Sequence, residues 1–171
     1  MPLEQLANIA EVFGMIVIVV SLIFLTVQVR QNTSMLRSTA TQGAIDQVSV
    51  MYGPLISDPS VTEMFIKGLD DPSTLSPVET GQFFSFWLRG FFIVQNWYFQ
   101  TREGLMEEDT LNSFTLILTD LSQSPGLQYF WKLRKYAFAP EFVRYLDDDV
   151  FTRSPNPEYR PLGSGRAAIP S

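Results

Sequence analysis

From Val12 to Val29 the chain reads VFGMIVIVVSLIFLTVQV, 18 residues without a charge between Glu11 and Arg30. At about 1.5 Å rise per residue such a helix extends roughly 27 Å, close to the ~30 Å hydrocarbon core of a bilayer. Backbone groups in lipid must bond one another, so this run is predicted to be a helix. Beyond it the pattern becomes that of packed amphipathic helices. Ala44, Val48, Met51 and Leu55 fall at helical spacing, with Ile45 and Tyr52 beside them, so the first helix is expected to continue past Asn32. Gly53-Pro54 should kink or end it. Asp58-Pro59 reads as a cap followed by proline at the first helical position, opening a short helix to about Gly68. Ser76-Pro77-Val78-Glu79 is a capping box, since a serine and a glutamate three residues apart can bond each other's backbone N–H groups.

That box opens a second apolar stretch, Phe83 to Phe99, with nine aromatics in 17 residues. Gln82, Ser85, Arg89, Asn96, Gln100 and Glu103 form one narrow polar stripe on it. A helix this apolar is either a central core helix or a membrane span. Arg89 at its middle would be costly in a bilayer, and membrane aromatics gather at interfaces, so the core position is expected. Gly90 is expected at a close helix crossing. Gly104 should terminate this helix. A further helix is expected from about Glu107, burying Leu111, Phe114, Leu118 and Leu121. Ser124-Pro125 is expected to cap the next, burying Leu127, Phe130, Trp131 and Ala137. Ala139-Pro140 begins a last short helix with Phe142 and Leu146. From Asp147 the period stops.

The expected fold is therefore all-α: one N-terminal transmembrane helix, a compact bundle of about five or six helices, and an irregular C-terminal tail. The expected divisions are an anchor over 1–31, a helical domain over 32–147 and a Pro/Gly-containing tail over 148–171.

Composition narrows the chemistry. Among 171 residues there is no His and no Cys, and the net charge is −6. The missing types remove Ser-His-Asp and Cys-His nucleophile systems, the usual zinc sites and His-ligated haem. Phosphate binding needs clustered Lys and Arg, so nucleic acid is not an expected partner. Asp70-Asp71, Glu107-Glu108-Asp109 and Asp147-Asp148-Asp149 lack calcium-loop spacing and read as helix-end and loop carboxylates. No catalytic residue, cofactor or metal ligand is assigned.

Two surfaces remain. Ala7, Gly14, Ser21 and Gln28 recur every seven residues, with Ala10 one turn before Gly14. Small residues let another helix approach closely, so this is a candidate docking stripe. Arg30 and Arg37 follow the apolar run, whereas Glu4 and Glu11 precede it. The positive-inside rule then places the N-terminus outside and the domain in the cytoplasm. Lys132 and Lys135, with Arg134 and Arg144, could meet anionic headgroups as Arg30 and Arg37 could. A cleaved secretory signal would start with basic residues and end in a small-residue site. Residues 1–11 hold no Lys or Arg and the run ends in QVRQNT, so an anchor is expected instead.

The layout resembles a family of small, uncharacterised bacterial single-pass membrane proteins. The matching pieces are LTVQVRQNT (Leu25 to Thr33), Asp58-Pro59, LSPVE around Ser76, REGL (Arg102 to Leu105), SPG (Ser124 to Gly126) and APEF (Ala139 to Phe142). The resemblance implies one membrane helix and a cytoplasmic helical domain, and it supplies no catalytic residue. The expected role is a non-catalytic accessory subunit of a larger complex in a bacterial inner membrane, of the respiratory or photosynthetic kind. Its partners would be other membrane subunits and lipid. The alternative is a self-associating sensor or regulatory protein whose helical domain binds a cytosolic ligand or partner.

Overall fold

The structure, a computed structural model, describes residues 2–159, less the side chains of residues 3–7, 9 and 10. Among the described residues there are six α-helices and no strand. They are α1 (Leu3–Ser57), α2 (Pro59–Asp70), α3 (Pro77–Arg102), α4 (Glu108–Leu121), α5 (Pro125–Arg134) and α6 (Pro140–Asp148). Short 3-10 turns occupy Pro72–Thr74, Lys135–Ala137 and Val150–Thr152. Contacts divide the chain into two units, one ending at Thr39 and one starting at Ala40.

In the first unit, α1 is a bare helix. Its apolar residues are exposed all round, from Val12 and Phe13 to Val27 and Val29, most of them by more than half. It is the one helix among the described residues long and apolar enough to cross a membrane. The hydroxyls of Ser21, Thr26 and Thr33 donate to the carbonyls of Val17, Leu22 and Val29, at 2.8, 2.8 and 3.0 Å. Each of these three hydroxyls is thereby satisfied within its own helix.

The second unit is built around α3. Its polar stripe faces outward and Phe83, Trp87, Gly90, Phe91, Val94 and Trp97 are buried, so the aromatic run is a core helix. Phe91 stacks on Phe130 of α5 at 5.6 Å, and Trp97 meets Phe114 of α4 edge-on at 4.4 Å. The end of α1 completes the core through Ala44, Val48 and Leu55, and Tyr52 meets Phe86 edge-on at 6.0 Å. Gly90 does lie at a crossing: a Cβ there would sit 3.3 Å from Met51 Sδ.

The helix ends follow local chemistry. Asp58 accepts from the Ser60 N–H at 2.9 Å and opens α2. At α3 the Ser76 N–H donates to Glu79 Oε2 at 2.7 Å, and the Glu79 N–H donates to Ser76 Oγ at 3.3 Å. The chain turns after α3 through Gly104, whose φ of 72° favours a residue without a Cβ.

Three expectations are corrected in detail. First, α1 does not end at Gly53-Pro54; Pro54 lies inside the helix, which runs on to Ser57. Proline donates no N–H and its ring crowds the preceding turn, but its own carbonyl still accepts, here from the Asp58 N–H at 3.1 Å. Second, Ser124 does not cap α5 with its side chain. Its hydroxyl donates backward to the Leu121 carbonyl at 2.7 Å. Third, Ala137 is exposed and Phe138 is the buried residue. The chain has left the α-helix at Lys135, so the period of α5 no longer applies there.

Residues just after α6 also pack against the domain. Val150 is fully buried, and the Thr119 hydroxyl lies 2.9 Å from both the Thr115 and Val150 carbonyls. Arg153 donates to both Asp149 oxygens at 3.2 and 3.1 Å, and to Asn112 Oδ1 and Thr115 Oγ1, each at 3.1 Å. The Asn156 N–H donates to Asp120 Oδ1 at 2.7 Å. These contacts come from α4, about 30 to 40 residues earlier, and no local period announces them. Residues 160–171 lie outside the described residues.

Candidate functional site

The candidate docking stripe lies along α1. Its heptad spacing places Gly14, Ser21 and Gln28 on one side of the helix, because seven residues make nearly two turns. All three are exposed. A Cβ added at Gly14 would meet nothing within 4 Å. Ala7 and Ala10 lie in the first turns of α1, and their side chains fall outside the described residues. Gln28 differs from Ser21: it is too long to bond back comfortably to its own backbone, so within a bilayer it would seek a donor or acceptor on another helix.

Of the residues considered for a membrane surface, Arg30, Arg37 and Lys132 are exposed. Lys135 is also exposed, but its ammonium pairs with Asp147 Oδ2 at 2.8 Å. Asp147 Oδ1 accepts the indole N–H of Trp131 at 2.6 Å. The Arg134 guanidinium stands over the Phe84 ring at 5.5 Å, with the Tyr136 hydroxyl 3.4 Å away. The basic group is thus partly built into contacts within the domain.

The second unit carries two clefts of interest. One, of about 420 Å³, lies among α3, α4 and the end of α6 and is lined by Tyr98, Arg102, Asp109, Tyr145, Asp149 and Arg153 among others. Its two guanidinium groups are both paired: Arg102 with Glu141, and Arg153 with Asp149. Both guanidinium groups are held above their ordinary range, chiefly by the hydrogen bonds those carboxylates accept. Burial pushes the Tyr145 hydroxyl up as well, which disfavours its anion. Such a cluster locks the end of α6 to α3 and α4. The other cleft, about 500 Å³, follows the polar stripe of α3, where Ser85, Arg89 and Asn96 meet Gln47 and Phe92. Arg89, the residue that argued against a membrane position for α3, opens to solvent there.

The acidic groups take helix-end positions. Asp71 accepts from the Ser73 N–H at 3.0 Å, and Glu108 and Asp109 stand in the first turn of α4. The carboxylates of Asp58, Asp71 and Glu79 are all held below their ordinary range, chiefly by hydrogen bonds from Ser60, Ser73 and Ser76. Among the described residues no group of three acidic side chains is placed to hold a metal ion.

Sequence reasoning missed one structurally decisive pair. Gly126 of α5 packs directly on Gly68 of α2, so close that an added Cβ would fall 1.9 Å from the Gly68 carbonyl oxygen. The only signal was the glycine in the first turn of a helix, where the residue type is unfavourable.

These features define an all-α protein with one helix long and apolar enough to span a membrane, followed by a compact helical domain. No protein-family model, no curated protein and no solved structure matches the chain.

Proposed function

We propose that the chain is a single-pass, non-catalytic subunit of a larger membrane complex in a bacterial inner membrane. It docks through α1 and presents its helical domain to the cytoplasm. The carrying observation is α1 itself: an apolar helix exposed on every side, with a stripe of small residues ending in Gln28. Lipid can cover the large apolar side chains, and Gln28 adds a group able to hydrogen-bond a neighbouring helix. A close-packed partner helix supplies both contact with the stripe and a polar mate. Arg30 and Arg37 at the C-terminal end of the span, against Glu4 and Glu11 before it, support the orientation. The absence of His and Cys from the sequence supports a scaffolding role over a chemical one.

Purification in a gentle detergent, followed by size analysis and mass spectrometry, tests this reading. A stoichiometric partner chain is expected; recovery as a monomer or plain homodimer would overturn the reading. Gly14→Leu is expected to weaken partner recovery about tenfold, equivalent to ~1.4 kcal/mol. The domain should be unaffected, since nothing lies within 4 Å of a Cβ at Gly14. Unchanged recovery would show that the stripe is not the docking face.

A further inference from the structure

From Thr80 to Thr101, α3 carries Arg89 and no Asp or Glu. From Pro125 to Ala137, α5 and the turn after it carry Lys132, Arg134 and Lys135, again with no Asp or Glu. These two elements pack together through Phe91 and Phe130. A chain of net charge −6 thus sets a purely cationic pair of helices side by side. Lys135 is held by Asp147 and does not count toward a free charge. Arg89 and Lys132 are exposed, and among the described residues neither makes an ion pair.

The same face exposes large apolar side chains. Tyr129, Leu133 and Tyr136 fall on one side of α5 and its following turn, and are 48%, 41% and 77% exposed. Phe92 of α3 is 44% exposed. Contacts join these residues into one patch. Tyr129 meets Phe84 of α3 edge-on at 6.1 Å, and the Arg134 guanidinium over that same ring donates to the Tyr136 hydroxyl. Phe92 lies 5.0 Å from Phe138, which follows the turn. Half-buried Leu88 lies one turn from both Phe84 and Phe92, and Arg89 borders Leu88 and Phe92 in the groove along α3. Apolar residues exposed singly are ordinary, but joined and edged by unpaired cations they mark a contact surface.

We propose that this α3–α5 face binds the anionic surface of a lipid bilayer. Charge complementarity selects the occupant: Arg89, Lys132 and Arg134 meet phosphate headgroups, and no carboxylate of α3 or α5 opposes them there. The side chains between the cations suit the same surface. Tyr129 and Tyr136 each carry an apolar ring and a wet hydroxyl, the combination that settles at headgroup level, while Leu133 and Phe92 reach toward the acyl chains. Lipid also demands no fixed set of hydrogen-bond partners, and this face presents none. The inference rests on the reading of α1 as a membrane-spanning helix, which keeps a bilayer within reach of the domain and raises its effective concentration. It goes beyond that reading by giving the domain a membrane contact of its own.

The sequence has no Cys, so a single one can carry a probe. Leu133→Cys, on the face, and Ser113→Cys, exposed on α4 outside it, are made in the full chain. Each is reconstituted into vesicles of phosphatidylcholine alone or of phosphatidylcholine mixed with phosphatidylglycerol. A membrane-impermeant, polarity-sensitive fluorescent maleimide then labels only the outward-facing domains. Acrylamide, an uncharged quencher, is expected to reach the probe at 133 severalfold less in the anionic vesicles, with a blue-shifted emission, and the probe at 113 equally in both. Arg89→Glu with Lys132→Glu should restore full access at 133; each cation contributes about fivefold to such binding, and both side chains are exposed, so the fold is left intact. Access at 133 that is the same in both lipids, or protection that survives the charge reversals, would overturn the inference. Protection in native membranes but in neither vesicle would assign the face to a protein partner and overturn it as well. Alkaline carbonate treatment of the phosphatidylcholine vesicles reads the anchor separately. Release of the chain there removes the membrane-spanning reading and the inference with it, whereas retention with an accessible position 133 removes the inference alone.

Discussion

Gly126→Ala is expected to destabilise the helical domain by on the order of 3 kcal/mol or more, or to prevent it from folding. The added Cβ would lie 1.9 Å from the Gly68 carbonyl oxygen, 2.8 Å from its carbon and 2.9 Å from Leu69 Cα. All three are backbone atoms, so no side-chain rotation relieves the overlap and α2 must move away from α5. That movement opens the contact sealed by Leu69 and Leu127, which are 2% and 1% exposed. Thermal unfolding of the full chain in detergent, followed by near-ultraviolet circular dichroism, reads the effect. A melting temperature within a few degrees of the wild type would show that the two helices do not cross backbone to backbone. Gly14→Ala is the control, because its Cβ meets nothing within 4 Å.

Phe142→Ala is expected to weaken the domain by about 3–5 kcal/mol, the usual range for emptying a buried aromatic site. Phe142 is fully buried on α6. Its ring lies 5.8 Å from Tyr98 and 6.1 Å from Phe138. These neighbours are held in turn: Tyr98 stacks on Tyr145 at 4.7 Å, and the Ala139 N–H at the start of α6 donates to Gln95 Oε1 at 2.7 Å. The site is fixed on several sides and has little freedom to collapse, which places the cost toward the upper end. The same melt checks it, and a loss below ~1 kcal/mol would mean that α6 is not part of the cooperative core.

Much of this fold was legible because its signals are local. The capping box at Ser76 and Glu79, the Asp58-Pro59 start and the Gly104 stop each act within a few residues of chain, and each appears where the sequence placed it. Arg89 in the middle of an aromatic helix was enough to separate a core helix from a membrane span. What was not legible depends on distant partners. Gly68 and Gly126 explain each other only when α2 and α5 are brought together. Val150 and Arg153 look like the start of a Pro-rich tail until Thr119, Asn112 and Thr115 are seen to receive them. Ser124 has the right type for a cap, yet its hydroxyl turns to Leu121, a choice between two nearby carbonyl and N–H partners that sequence does not decide. For the candidate site the balance is similar. The stripe on α1 is a matter of spacing and could be read directly. The neutralisation of Lys135 by Asp147 required the fold.

In the proposed function α1 crosses the membrane once and leaves the helical domain on the cytoplasmic side. Asn8 and Glu158 are both exposed and stand before and well after the apolar run, and the sequence has no Cys. Asn8→Cys and Glu158→Cys variants, expressed separately in bacteria, can be treated with a membrane-impermeant maleimide. The cysteine at position 8 is expected to be labelled in intact cells, and the one at 158 only after the inner membrane is permeabilised. Equal labelling of both positions in intact cells, or release of the chain into the soluble fraction by alkaline carbonate, would contradict it.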